Sequence, residues 1–448
     1  MKRTRKRNTL AAMAALLAMT MCGPVRRAAA QAAAQDQGKT EYTPAQYNTY
    51  TAAANQPTPA AKVRALEDFL QKDPTVSLQL QIPALKTIWF TYFNDLKNYP
   101  KTVEFADKLL ALGDKVDDTT RLQAIYYRSL AFHTTFNSKA PDAKAQAAAE
   151  LAAAKSGIQL LGAWKKPEGA TDEQFAQSKK QFEAMFTYSV GFAALELKDY
   201  PAAVEGFKAA LVADPNNSVS YFRLGVAYLS MTPPQYLDGF WALARSISLK
   251  GPTESQVRPY LRGQLLRYQQ PACDNLIDPQ MNELLALAAG SATRPDSYKF
   301  PSSADLDAAR KDMTIASVFA DLRAGGDKAK ITWLAACGLE FPDVPSKVIE
   351  VVPGDPIVLK VAFVTSDEEF KAKTKADMEV KVVGQPEAAR VEKDNPARFT
   401  ATLVSYDPDP LLVHWDKAKV NPEDIPEEKK QPAKKAPPRR RAPAKRHG

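Results

Sequence analysis

The run "YFRLGVAYLS", Tyr221–Ser230, sets a glycine in the middle of an otherwise helix-forming stretch. Glycine costs a helix interior about 1 kcal/mol relative to alanine, so something nearby must compensate. The compensation is a repeat. Gly225 follows Gly191 by 34 residues, Trp241 follows Phe207 by the same interval, and so does Ala244 follow Ala210. That period belongs to a helix–turn–helix unit stacked on copies of itself. In such a pair the glycine lets the partner helix approach closely. Ala203, Ala210 and Ala244 do the same from the second helix, and Phe207 and Trp241 fill the space beside them.

On these residues, segments 184–217 and 218–251 resemble tetratricopeptide repeats. The first carries Val190, Gly191, Ala203, Phe207, Ala210 and Pro215; the second carries Tyr221, Leu224, Gly225, Tyr228, Trp241 and Ala244. Thr187 and Ala194 stand at aromatic positions of the first unit, Leu237 at a small position of the second, and the closing proline is displaced to Pro252. The resemblance implies a right-handed array whose first helices line a concave face. Its fifth, ninth and twelfth positions point there: Tyr188, Phe192 and Leu195, then Phe222, Val226 and Leu229. These are the candidate ligand-groove residues, expected to form one apolar strip. Family members that clamp carboxylate termini carry lysine and asparagine at the fifth and ninth positions, which this sequence does not. Two occupants compete for the groove: a partner helix, or a helix of this chain, with Asp142–Leu161 and Gln256–Tyr268 the nearest.

Working upstream, "LKNYP" at residues 96–100 parallels "LKDYP" at 197–201. In both, proline suits the first turn of a helix, where a missing N–H costs nothing. Residues 46–270 therefore read as one helical repeat domain, ending in a capping helix near Gln256–Tyr268, and 271–302 as a linker. Beyond it the composition turns to Val, Ile, Thr and aromatics in five short runs, the expected signature of antiparallel strands. Residues 303–420 thus read as two helices beside a small five-stranded module that resembles an OB barrel. The fold class is α+β multidomain, a tetratricopeptide-like solenoid followed by a small antiparallel β domain.

The termini differ in charge from the body. Seven Lys/Arg and no acid lie in residues 1–27, and nine and no acid in 429–448. Removing those sixteen charges from a net of +9 leaves residues 28–428 at −7. Nucleic-acid binding loses its electrostatic basis. The first 30 residues hold a basic start, an apolar run Leu10–Cys22 too short to span a bilayer, and the small triplet Ala28-Ala29-Ala30. This order is that of a secretory signal peptide, with an uncleaved anchor or a lipoprotein ending at Cys22 as rival readings. Residues 31–45 read as a disordered linker and 421–448 as a disordered basic tail suited to an anionic envelope surface. Export permits a disulfide between Cys273 and Cys337; two buried free thiols fit the sequence equally.

The search for chemistry returns little. The three histidines, His133, His414 and His447, show no metal-ligand spacing, and "AGGDKAK" lacks the elements of a phosphate loop. "DPDP" at 407–410 reads as a turn. No catalytic residue, metal or cofactor is expected. The functional expectation is an exported, periplasmic or envelope-associated, non-enzymatic scaffold for protein or peptide partners. The alternative is a binder of envelope polymers or glycans through the β domain.

Overall fold

A computed structural model describes residues 41–427. The signal-peptide reading, residues 31–40 of the linker and residues 428–448 of the tail lie outside the described residues. Two compact units emerge, residues 41–265 with 280–299, and residues 266–279 with 300–427.

The first unit is built of antiparallel helix pairs: α1 (Pro44–Ala54) with α2 (Pro59–Lys72), α3 (Leu78–Asn94) with α4 (Tyr99–Leu110), α5 (Asp118–Thr135) with α6 (Ala143–Ala163), α7 (Asp172–Glu196) with α8 (Tyr200–Ala213), and α9 (Ser218–Ser230) with α10 (Tyr236–Ser248). First helices touch first helices along the row, α1 on α3, α3 on α5, α5 on α7 and α7 on α9. The local signals are strong. Asn98 and Asp199 cap α4 and α8 by accepting from the backbone N–H of Lys101 and Ala202, with proline in the first turn of each. The lysines before them, Lys97 and Lys198, stand at φ 52° and 64°, so one helix ends and the next starts within four residues (95–98) at the first "Leu-Lys-Asx-Tyr-Pro" and three (197–199) at the second. Tyr99 packs its ring against Phe93 at 5.5 Å.

The helix pairs of the two clear repeats cross at glycines. Gly191 lies against Phe207, as the 34-residue interval implies. The second pair departs from it. Gly225 faces Leu243, while Trp241, also buried, turns its ring to Tyr298 at 5.3 Å. The connection explains this: three residues (197–199) separate α7 from α8, but five (231–235) separate α9 from α10. The two additional residues move the contact from the sixteenth residue after the glycine to the eighteenth.

Residues 271–302 are not a linker as expected. They contain α12 (Ile277–Gly290), which follows α11 (Glu254–Gln269). The Arg245 guanidinium donates to the carbonyls of Ala288 and Ala289 at 3.1 and 2.8 Å, fastening α10 to the end of α12. Ile277, Met281, Leu284 and Ala288, all buried, recur at helical spacing, a signal the acidic and proline-containing first turn obscured.

The second unit has three helices before its sheet, not the expected two: α13 (Ser303–Lys311), α14 (Ile315–Ala324) and α15 (Gly326–Ala336). Gly325 and Gly326, at φ 70° and 69°, turn the chain between the last two. The sheet is a closed barrel of β1 (Glu340–Val352), β2 (Ile357–Phe363), β3 (Met378–Val382), β4 (Pro396–Pro408) and β5 (Leu411–Val420), in ring order 1-2-3-5-4. A short helix α16 (Asp367–Ala372) joins β2 to β3. Four pairings are antiparallel, but β3 and β5 run parallel with Val380 opposite Trp415. The expectation of a wholly antiparallel module is corrected on elementary grounds, since a ring with an odd number of strands cannot alternate direction all the way round. Trp415 and Phe399 fill the interior. Cys273 and Cys337, both in this unit, form a disulfide. Residues 421–427, the first of the expected tail, pack against β4, where Arg398 bonds Glu423 and Asp424.

Candidate interaction surface

The face of the first helices is where the sequence places a groove. There Phe192 is 5% exposed, ringed by Phe132, His133 and Phe136 at 5.8, 4.8 and 5.4 Å. Tyr188 stands beside it, 5.0 Å from His133, and Leu195 packs on the same cluster. The occupant at this point is the chain itself, through the end of α5. That helix was not among the two expected. Phe222 instead meets Tyr260 of α11 at 6.4 Å. Leu229 points into its own pair against Gly239, and Val226 is half-buried. The six candidates therefore do not form one open apolar strip. A stacked array turns successive first helices against each other, so positions equivalent in the repeat meet different neighbours at each step.

Polar residues that the sequence reading passed over gather at the same place. His133 Nε2 lies 2.7 Å from Ser189 Oγ. Burial, with the nearby positive charge of Arg223, pushes the imidazole down to about 3, so it is neutral. The pair has the outline of a nucleophilic dyad without access or an orienting acid: Ser189 is fully buried and His133 Nδ1 has no partner. One turn away Arg128, buried on α5, bridges Asp107 of α4 at 2.6 Å and the fully buried Glu150 of α6. Burial raises the Glu150 carboxyl above its ordinary range against the pull of Arg128. This ion group joins three helices and is closed to solvent at Glu150.

Arg223 is different. Its guanidinium carbon sits 4.2 Å above the Phe192 ring, a cation–π arrangement. Among the described residues no carboxylate stands within ion-pair distance of it. Glu196, on α7, is close enough to feel its charge, yet burial still raises that carboxyl. The signal was in the sequence: Arg223 is the single charged residue of α9.

Elsewhere the arrangement is self-contained. A cavity of about 430 Å³ lies between α1 and α2, lined by Ala45, Ala52, Ala53, Ala65, Phe69 and Asp73 among others, with no histidine or cysteine. On the barrel, His414 is held between Asp407 (3.0 Å at Nε2) and Glu379 (3.5 Å at Nδ1). The two acids face opposite ring nitrogens and do not converge on one point. Lys360 pairs with Glu350 at 2.9 Å and lies opposite Glu379 in the sheet. Among the described residues no cluster of His, Cys, Asp and Glu is placed to hold a metal ion, and no helix is long and apolar enough to cross a membrane.

No protein-family model matches the sequence, and no curated protein matches it. Solved structures similar to it include "MamA RS-1 ArsTM double mutant", at 15% identity and a TM-score of 0.28, covering 47% of this chain and 96% of that one. Another is "MamA 41-end from Desulfovibrio magneticus RS-1", at 16% identity and a TM-score of 0.27, covering 46% and 93%. At those scores the reading of this chain rests on its own geometry, which is that of a helical repeat array joined to a small β barrel.

Proposed function

We propose that the chain is an exported, non-enzymatic scaffold. It holds protein or peptide partners on the first-helix side of a tetratricopeptide-like array, in the periplasm or at the cell envelope. The observation that carries the reading is the stacking of first helix on first helix, with Phe222 and Val226 of α9 left half-exposed on that side. An apolar face of this kind suits an amphipathic or extended segment of a partner. The order of basic, apolar and small residues in the first 30 positions supports export. The test is affinity capture from envelope extracts with the chain beginning at residue 31, against a Phe222→Ala, Val226→Ala variant. Partners held by the native chain and lost by the variant are expected. The same set on both overturns the placement, and none on either overturns the scaffold reading.

We read the second unit as an OB-like barrel, on its strand order and its parallel β3–β5 pair. Binding of envelope polymers through it is the weaker alternative. The large exposed apolar side chains of its strands and loops among the described residues, Val383 and Val404, are aliphatic. Sugar rings stack on aromatic faces; of its strand aromatics Trp415, Phe399 and Phe363 are buried, and the half-buried Phe341 and Tyr406 are taken up by Trp415 and Trp333.

A further inference from the structure

Arg223 lies over the Phe192 ring, and no carboxylate of the described chain stands within ion-pair distance of it. Its guanidinium carbon lies 4.2 Å over the Phe192 ring, a contact that holds the fork against the aromatic face. The phenol of Tyr188 is within its reach. Nε is buried and without a hydrogen-bond partner. The neighbouring His133 ring is neutral, so no second cation competes for an incoming anion. Glu196 is the acid nearest in effect, and it stays beyond ion-pair distance while burial works against its ionisation. A partly buried cation without a counter-charge is costly, and the cost is relieved by any carboxylate that reaches it. Elsewhere in the first unit the buried Arg128 is met by two carboxylates, and the half-buried Arg245, whose Nε is likewise without a partner, still gives its Nη1 to two carbonyls.

We propose that Arg223, on the Phe192–Tyr188 shelf between α7 and α9, is the anchor for a carboxylate of a bound peptide. The choice of a peptide rests on the scaffold reading above; the anion site itself does not. The bond would be charge-assisted and two-pronged, from the guanidinium edge to both carboxylate oxygens, with the Tyr188 hydroxyl as a further donor.

The experiment uses the full chain from residue 31 with arginine side-chain Nε–H and histidine ring resonances followed by NMR. Signals are assigned with Arg223→Lys and His133→Gln. Three acetylated pentapeptides are titrated: Gly-Ala-Leu-Ala-Leu as the free acid, Gly-Asp-Leu-Glu-Leu as the amide, and Gly-Ala-Leu-Ala-Leu as the amide. A saturable shift of the Arg223 and His133 signals with at least one acid peptide, and none with the neutral amide, is expected. Which acid peptide acts tells a terminal from a side-chain carboxylate. Affinity should fall about tenfold or more in Arg223→Gln and weaken as salt rises. Arg223→Lys, keeping the charge without the fork, should bind at an intermediate level. No shift with either acid peptide overturns the proposal, as does equal binding by Arg223→Gln. If that variant does not fold, the acid-against-amide comparison on the native chain decides. Failure here leaves the capture experiment standing, since partners lost with Phe222 and Val226 need no carboxylate.

Discussion

Gly206 and Gly191 meet backbone to backbone. A β-carbon at Gly206 would stand 2.4 Å from the amide nitrogen of Gly191 and 2.6 Å from its α-carbon. The corresponding carbon at Gly225 would meet chiefly the side chain of Leu243, at 2.7 Å, and a carbonyl oxygen at 3.0 Å. A side chain can rotate away; two helix backbones can only separate. Gly206→Ala should therefore cost roughly 2–4 kcal/mol and Gly225→Ala less than half of that, through overpacking. Urea melts of the two variants decide it, and equal midpoints would refute the backbone contact.

The split of the groove residues gives a second expectation. Phe192→Ala removes a buried ring from the α5–α7 contact and should cost about 3–5 kcal/mol. Phe222→Ala, half-exposed beside Tyr260, should cost no more than about half as much. Thermal unfolding separates them. A larger loss at Phe222 would mean that the first helices are stacked in another register.

Acid should loosen the first unit through His133. In the unfolded chain this imidazole titrates near its ordinary value of about 6.5, while in the fold it is held down to about 3. Between those values the unfolded state binds a proton that the folded state refuses, so stability falls as pH falls. At pH 4.5 the loss is about 2–3 kcal/mol relative to pH 7.5. His133→Gln, which can still bond Ser189, should flatten that dependence. Denaturant midpoints for both proteins at the two pH values are the measurement. Parallel slopes would show that the ring is protonated in the fold. The raised Glu150 carboxyl acts with the opposite sign, so it cannot imitate the effect.

The disulfide closes a loop of 64 residues. By loss of unfolded-chain entropy it contributes up to about 4 kcal/mol. Cys273→Ser should lower the unfolding temperature of the second unit, and a reducing agent should lower that of the native chain but leave the variant unmoved. Unfolding of the native chain that ignores reductant would contradict it.

The parts of the fold that were readable from the sequence are those with local causes. A glycine spaced 34 from another, an Asx cap before Tyr-Pro, and runs of β-branched residues each act within a few neighbours. What escaped depends on distance. Trp241 keeps the repeat interval but loses the contact, because two loop residues shift a helix that the interval treats as fixed. Phe192 reads as a lining residue until α5, from earlier in the chain, is laid over it. Arg223 and His133 were visible as an isolated charge and an isolated histidine, and only the stacking of α5, α7 and α9 brings both against one phenylalanine. The direction of β5 escaped as well, because it follows from ring closure and not from any residue in the strand.

That ring has a consequence in time. β5 is the last strand made, yet it is the wedge between β3 and β4, touching both along its length. As the chain is synthesised, each helix pair of the first unit can form from segments that lie close together in sequence, one after another. The barrel cannot do so. Until Leu411–Val420 has been made, β3 and β4 each present an unpaired edge, and such edges invite pairing with another chain. The stage at which this protein most needs protection is therefore the interval before Leu411–Val420 appears, when a row of finished helices precedes an open sheet.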